Sequence, residues 1–145
     1  MGIFNSISIS ASALTAQRMR MDVISQNIAN ANTTRTATGE PYRRRVVVLE
    51  QQTNPKFSSF LNNARGAAAG TGVVVSEITE DMSDFVKEYD PDHPDADADG
   101  YVSYPNVDET TEMLDMMSAT RSFEANVTAL NATKGIALKA LEIGK

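Results

Sequence analysis

The chain has 145 residues, one histidine, no cysteine and a formal net charge of −6. That length fits one ordinary domain. The missing cysteine excludes disulfides, Cys-ligated zinc, iron–sulfur centres and thiol nucleophiles. The acidic balance argues against nucleic acid as a partner, and no apolar run approaches the ~18 residues of a membrane span. Charge is unevenly placed: eight Lys/Arg against three Asp/Glu up to Arg65, then one against thirteen from Gly66 to Glu112. Such a pattern favours attraction between copies of the chain, or between its ends and its middle.

In chain order, Ser6 to Ala31 comes first and lacks both Pro and Gly. Ile7, Leu14, Met21 and Ile28 recur every seven residues, and Ala11, Ile24 and Ala31 widen the stripe. This predicts a long amphipathic helix with a coiled-coil-like repeat, stopped by the Asn/Thr-rich run from Asn30 to Thr38 and by Gly39. Tyr42 to Glu50 and Gly72 to Ile78 are rich in β-branched residues and predict two strands. Asp84 to Tyr89 and Gly100 to Tyr104 predict two more. Turn signals separate them: the Asn62-Asn63 pair, the Gly66–Gly72 stretch of low stiffness, and the Asp/Pro tract from Asp90 to Asp99.

Val107 to Ile143 predicts a second long helix, with Asn106 as its cap and Glu109 three positions on. Two sets of seam positions run along it. One is Met113, Thr120, Val127, Lys134 and Leu141; the other is Met116, Phe123, Leu130 and Ala137. Gly135 weakens the case for an unbroken helix. The fold class expected is therefore α+β. Long N- and C-terminal helices pair as a coiled coil, with a small β-containing segment between them. Two such helices leave apolar surface that further copies or related proteins must cover, so the chain reads as an assembly subunit.

Few residues suggest chemistry. Asp95-Ala96-Asp97-Ala98-Asp99-Gly100 matches the opening of a calcium loop, but the twelfth position is Asn106 where Glu is needed. A solvated acidic turn is the alternative. Arg43, Arg44 and Arg45 alternate faces on a strand, so they do not form one anion patch; pairing with the acidic middle segment suits them better. Met113, Met116 and Met117 are either an adaptable contact surface or ordinary core. His93, in a turn between Asp92 and Pro94, reads as exposed and inert. No nucleophile–base pair or phosphate-binding glycine loop is visible, so no enzyme, metal or cofactor is expected. The N-terminus also lacks the charged and apolar regions of a cleavable secretion signal.

The segment from Ser12 to Thr36, with its Asn27-Ile28-Ala29-Asn30 run followed by Asn32-Thr33, resembles the N-terminal signature of flagellar rod and hook proteins. Thr34-Arg35-Thr36 stands where the general signature has a Gly-Tyr pair. It is followed by GEPYRRRVVVLE, which is similar to the proximal-rod branch. The segment from Gly100 to Lys134, with YPNVD, Glu112-Met113, Arg121, Glu124-Ala125-Asn126-Val127 and Leu130-Asn131, resembles the same family.

The resemblance implies a structural subunit that polymerises helically into the proximal rod of the flagellar basal body, a drive shaft from rotor to hook. Its partners would be further copies of itself, other rod proteins and the protein joining rod to export gate. The type III export apparatus would carry it unfolded to the periplasm. Residues 1–36 and 106–145 would form the helical inner part and residues 37–105 the outer β-containing part. Ile7, Leu14, Met21, Ile24 and Ile28 would meet Met113, Met116, Phe123, Val127, Leu130, Asn131 and Leu141, or their counterparts in adjacent subunits. Asn27, Asn30 and Asn32 would satisfy backbone groups at the helix end or bridge subunits.

Overall fold

The computed structural model describes residues 3–53 and 72–143. The elements are helix α1 (Ile3–Ala29), strands β1 (Arg45–Gln51), β2 (Val73–Glu80), β3 (Val86–Tyr89) and β4 (Tyr101–Tyr104), and helix α2 (Glu109–Ile143). The fold is α+β, with two long terminal helices and small sheets between them. The Asn62-Asn63 turn, and the Gly66–Gly72 stretch apart from Gly72, lie outside the described residues. Among the described residues, no helix is long and apolar enough to cross a membrane.

β1 and β2 form one two-stranded sheet and β3 and β4 another. The Asp81 N–H donates to the Arg44 carbonyl at 2.8 Å and the Gln52 N–H to the Gly72 carbonyl at 3.0 Å. The start of β1 therefore lies against the end of β2, and the pair is antiparallel. β3 and β4 are also antiparallel, with Val86 opposite Tyr104 and Tyr89 opposite Tyr101.

The described residues fall within two compact units. The first comprises Met1–Met19, Leu49–Ser76 and Ala119–Lys145. Here the Ser12 hydroxyl links α1 to the start of β2, donating to the Ile9 carbonyl (2.8 Å) and accepting the Val73 N–H (3.1 Å). Gly72 precedes that contact with φ +100°, and a side chain there would run into the Ser12 hydroxyl. Only glycine meets both demands.

The second unit comprises Arg20–Val48 and Glu77–Ser118. Among the described residues, Val23, Ile24, Ala31, Val102 and Pro105 are its buried apolar residues, joined inside by Asn27 and Glu112. So small an apolar set makes the polar contacts decisive for how its elements are held. The β3–β4 turn closes at Gly100 (φ +82°), where a Cβ would come within 2.9 Å of the Tyr89 ring. That ring packs edge-on against Tyr101, with centroids 5.3 Å apart.

Candidate functional site

The second unit is organised around a polar knot where α1 ends, β1 begins and α2 begins. Asn27 lies in the last turns of α1 and is 1% exposed. Its Nδ2 donates to the Arg45 carbonyl (2.9 Å) and to Glu112 Oε2 (3.1 Å). Its Oδ1 accepts the Arg45 N–H (3.0 Å) and the Tyr42 hydroxyl (3.0 Å). An asparagine amide has two donor hydrogens and two acceptor lone pairs, and all four are used. Both backbone groups of Arg45 are thus paired by a side chain from α1, much as a neighbouring strand would pair them. Burial pushes the Tyr42 phenol up, with the Arg45 charge pulling the other way.

Glu112, in the first turns of α2, is fully buried. Its Oε1 accepts from Arg44 Nε at 2.7 Å. A buried carboxylate needs such a partner, since desolvation without one is costly. Arg44 also faces Asp81 (3.8 Å) and Asp115 (3.6 Å), and Asp115 pairs with Arg20 at 2.7 Å. Asp115 and Glu112 of α2 thereby meet Arg20 and Asn27 of α1, with the helices running in opposite directions. Asn106 secures the same strand entry from another side. Its Oδ1 accepts the Arg44 N–H (2.9 Å), while its Nδ2 donates to the Asp81 carbonyl (2.9 Å) and the Ser83 hydroxyl (2.8 Å).

Asn106 is therefore not the cap of α2. Asp108 is: it accepts the Thr110 N–H (3.1 Å) and the Thr111 hydroxyl (2.6 Å), and its carbonyl accepts the Glu112 N–H (2.9 Å). The hydroxyl and backbone donors of Thr111 and Thr110 hold the Asp108 carboxyl below its ordinary range. Asp81 is lowered likewise, first by the backbone and side chain of Ser83 and then by Arg44 and Arg43.

The residues expected at subunit contacts are spread over several environments. Ile24 and Asn27 are buried, and Asn27 is occupied within its own chain. Ile7, Leu14, Met21, Ile28, Asn30, Met116, Phe123, Val127 and Leu130 are half-buried, whereas Asn32, Met113, Asn131 and Leu141 are exposed. Asn30 completes the helix end, donating to the Gln26 carbonyl (2.8 Å) and accepting the Thr33 hydroxyl (3.3 Å). Along α2 the less exposed positions include Glu112, Met116, Ala119, Phe123, Asn126, Leu130, Thr133 and Ala137. They alternate four and three apart, the spacing of a coiled-coil stripe. Within the chain, one half of that stripe is Met116, Phe123, Leu130 and Ala137. The other half lies one residue before the set beginning at Met113. Helix α2 runs unbroken through Gly135.

Glu112, Arg44 and Asn106 escaped sequence reasoning as a cluster. Alignment of Glu112 with the polar and small positions at Ala119, Asn126 and Thr133 was the signal available for it. Two of the three arginines pair with carboxylates of the middle segment, Arg44 as above and Arg45 with Glu80 (3.9 Å), whereas Arg43 lies over the Phe85 ring (4.2 Å) beside the Ser83 carbonyl (3.4 Å).

Asp95 and Asp97 of the acidic tract turn to partners within the chain. Asp95 accepts the Thr34 hydroxyl (2.8 Å) and faces Arg35 (3.6 Å). Asp97 closes its own turn on the Asp99 and Tyr101 N–H groups, both at 2.9 Å. Among the described residues, no three His, Asp or Glu side chains are grouped to hold a metal ion. His93 is half-buried rather than exposed: its Nδ1 accepts the Asp95 N–H (3.1 Å) and its ring packs edge-on to Tyr104 (centroids 6.3 Å).

The family described as flagella basal body rod protein matches residues 7–35, and that described as flagellar basal body rod FlgEFG protein C-terminal matches residues 98–143. Those matches contain Asn27 and Glu112 respectively. The chain is 59% identical over 151 residues to the flagellar basal-body rod protein FlgC of Bacillus subtilis (strain 168), with 100% of both covered. It is 45% identical over 149 residues to FlgC of Borreliella burgdorferi, covering 99% of this chain and 98% of that one. With FlgC of Escherichia coli O157:H7 it shares 42% over 145 residues, again covering 100% of both. The chain belongs to the FlgC family of flagellar basal-body rod proteins.

Proposed function

We propose that the chain is a structural, non-catalytic subunit of the proximal rod of the bacterial flagellum. Copies of it polymerise helically with other rod proteins and with the protein joining the rod to the export gate. The terminal helices pack as coiled coils into an inner tube, and the β-containing middle faces outward. The assembled shaft lies in the periplasm and passes torque from rotor to hook. Subunits reach it through the type III export apparatus.

One observation carries this reading. Along α2, Met113, Leu114, Met117, Ile136, Leu138 and Leu141 are 50–71% exposed. Large apolar side chains exposed near both ends of a long helix are costly in water and favour burial against neighbours. The half-buried residues Ile7, Leu14, Met21, Ile28, Phe123, Val127 and Leu130 would complete their burial in the same contacts.

Deleting the gene and viewing basal bodies by electron microscopy tests the proposal. The expected result is cells without filaments, basal bodies stopped below a complete rod, and restoration by the gene in trans. Normal flagella and motility in the deletion strain, with a second copy of the gene excluded, would overturn it.

A further inference from the structure

The geometry points to the Asn27–Arg45–Glu112–Arg44 knot as the mechanical joint through which torque passes between the helices and the β-containing part of the subunit. This rests on the rod reading above. Asn27 and Arg45 are 18 residues apart in sequence, and Arg44 and Glu112 are 68 apart. Besides the knot, α1 reaches the β1–β2 sheet through Ser12, whose hydroxyl accepts the Val73 N–H, and through the intervening chain. That chain includes exposed residues from Ala37 to Glu40. Helix α2 reaches the entry to β1 beside the knot as well, through Asp115 against Arg44 and through Asn106 just before the helix.

To these routes the knot adds direct bonds made by the buried side chains of Asn27 and Glu112. Two of them, from Asn27 to the carbonyl and N–H of Arg45, are 2.9 and 3.0 Å long and lie side by side. Side-by-side bonds share a load and must break together, whereas bonds in a row break one at a time. The Glu112–Arg44 pair at 2.7 Å adds the second helix, and the 3.1 Å bond between Asn27 and Glu112 ties the two helices to each other. Asn27 and Glu112 are nearly or fully shielded from solvent, so water does not readily replace a strained bond, and a buried network strengthens its members. Asn27, Arg44 and Glu112 are thus positioning residues for torque transfer, beyond any part they have in stability.

The test uses chromosomal Tyr42→Phe, which removes one bond to Asn27, and Glu112→Gln, which keeps the shape but discharges the pair with Arg44. The control is Val102→Ala, which opens a cavity at a buried apolar residue of the same unit and removes none of the knot's bonds. Thermal melts of the purified chains establish how much stability each variant loses. Bead rotation on filament stubs then gives torque against load, with basal bodies checked by microscopy. The expected result is rods and near-normal rotation at low load for both knot variants, with stalling or shaft failure at high load. Val102→Ala, at equal or greater loss of stability, keeps the wild-type load curve.

Three results would overturn the joint: equal load sensitivity in Val102→Ala, a wild-type load curve in both knot variants, or rods that assemble with Val102→Ala and with neither knot variant. Normal flagella in the full deletion strain would defeat the rod reading itself, which separates the two claims.

Discussion

Arg44 and Glu112 form the closest buried ion pair of the knot, and their unequal burial gives an ordered prediction. Glu112 is 0% exposed, while the Arg44 side chain is 23% exposed and keeps Asp81 and Asp115 nearby. Arg44→Met strands a buried carboxylate with the Asn27 amide as its remaining side-chain partner. Removing one member of a buried pair costs about 3–5 kcal/mol. On a chain of this size that lowers the melting temperature by roughly 10 °C. Glu112→Met leaves a charge that other carboxylates and solvent still reach, so its cost falls nearer about 1–3 kcal/mol, mostly from lost hydrogen bonds. Combining the two substitutions removes the stranded charge. The double variant should therefore be more stable than Arg44→Met alone by about 1–3 kcal/mol, a coupling expected of residues in direct contact. Urea and thermal unfolding of the three purified variants, followed by circular dichroism, measure all of these differences. A double variant no more stable than Arg44→Met would refute the claim that an unpaired buried carboxylate dominates the cost.

Four further outcomes follow from single contacts. Asp108 is held below its ordinary value of 3.8 in the folded chain. Its charge therefore contributes stability in full above that value and loses it as the pH falls through the lowered one. Asparagine caps helices as well as aspartate does, so melts of the wild type and Asp108→Asn should converge in that acidic window and separate above it. Gly72→Ala places a side chain at φ +100° against the Ser12 hydroxyl; it should cost about 1–2 kcal/mol or more in unfolding experiments. Gly135→Ala meets no atom within 4 Å and sits inside a helix, so it should stabilise the isolated chain by about 0.5–1 kcal/mol, read from helical ellipticity against temperature. Leu130→Asp places a charge on the α2 stripe and should block rod assembly; wild-type swimming in that strain would remove Leu130 from any packed interface.

The helices and strands were legible in the sequence because each depends on a local period. The seven-residue recurrence from Ile7 to Ile28 lies within α1, and the β-branched runs at Val46–Val48 and Val73–Val75 became β1 and β2. Element ends were less legible where two residues suited the same task. Asn106 and Asp108 are both good caps, and the choice was settled by Arg44, whose N–H claims the Asn106 side chain. That partner is 62 residues away in sequence, so no local rule could find it. The stripe on α2 was hidden for a related reason. A search for apolar recurrence selects Met113 over Glu112, yet Glu112 is buried because Arg44 and Asn27 satisfy it. His93 likewise looked idle until folding brought Tyr104 to its ring.

The same facts explain why polar residues occupy the junction of three elements. Among the described residues, the buried apolar ones are small or β-branched for the most part: Ala16, Val23, Ile24, Ala31, Val102 and Ala119, with Pro105 beside them. Alanines and valines pack acceptably in more than one register, because their shapes differ little from one turn to the next. Directional groups do not share that tolerance. Sliding α2 by one turn would take Asp115 from Arg20 and take Glu112 from Arg44 and Asn27, leaving the buried Glu112 and Asn27 groups unpaired at about 1–3 kcal/mol each. A single buried asparagine can fix register in a coiled coil by this mechanism, and here Asn27 is reinforced by two charged pairs. On the rod reading proposed above, a subunit whose outer helix faces fit many neighbours needs its own helices held in one register before those neighbours arrive. An apolar core of this size does not specify that register. The knot does, because its alternatives leave charges and amides unsatisfied away from water.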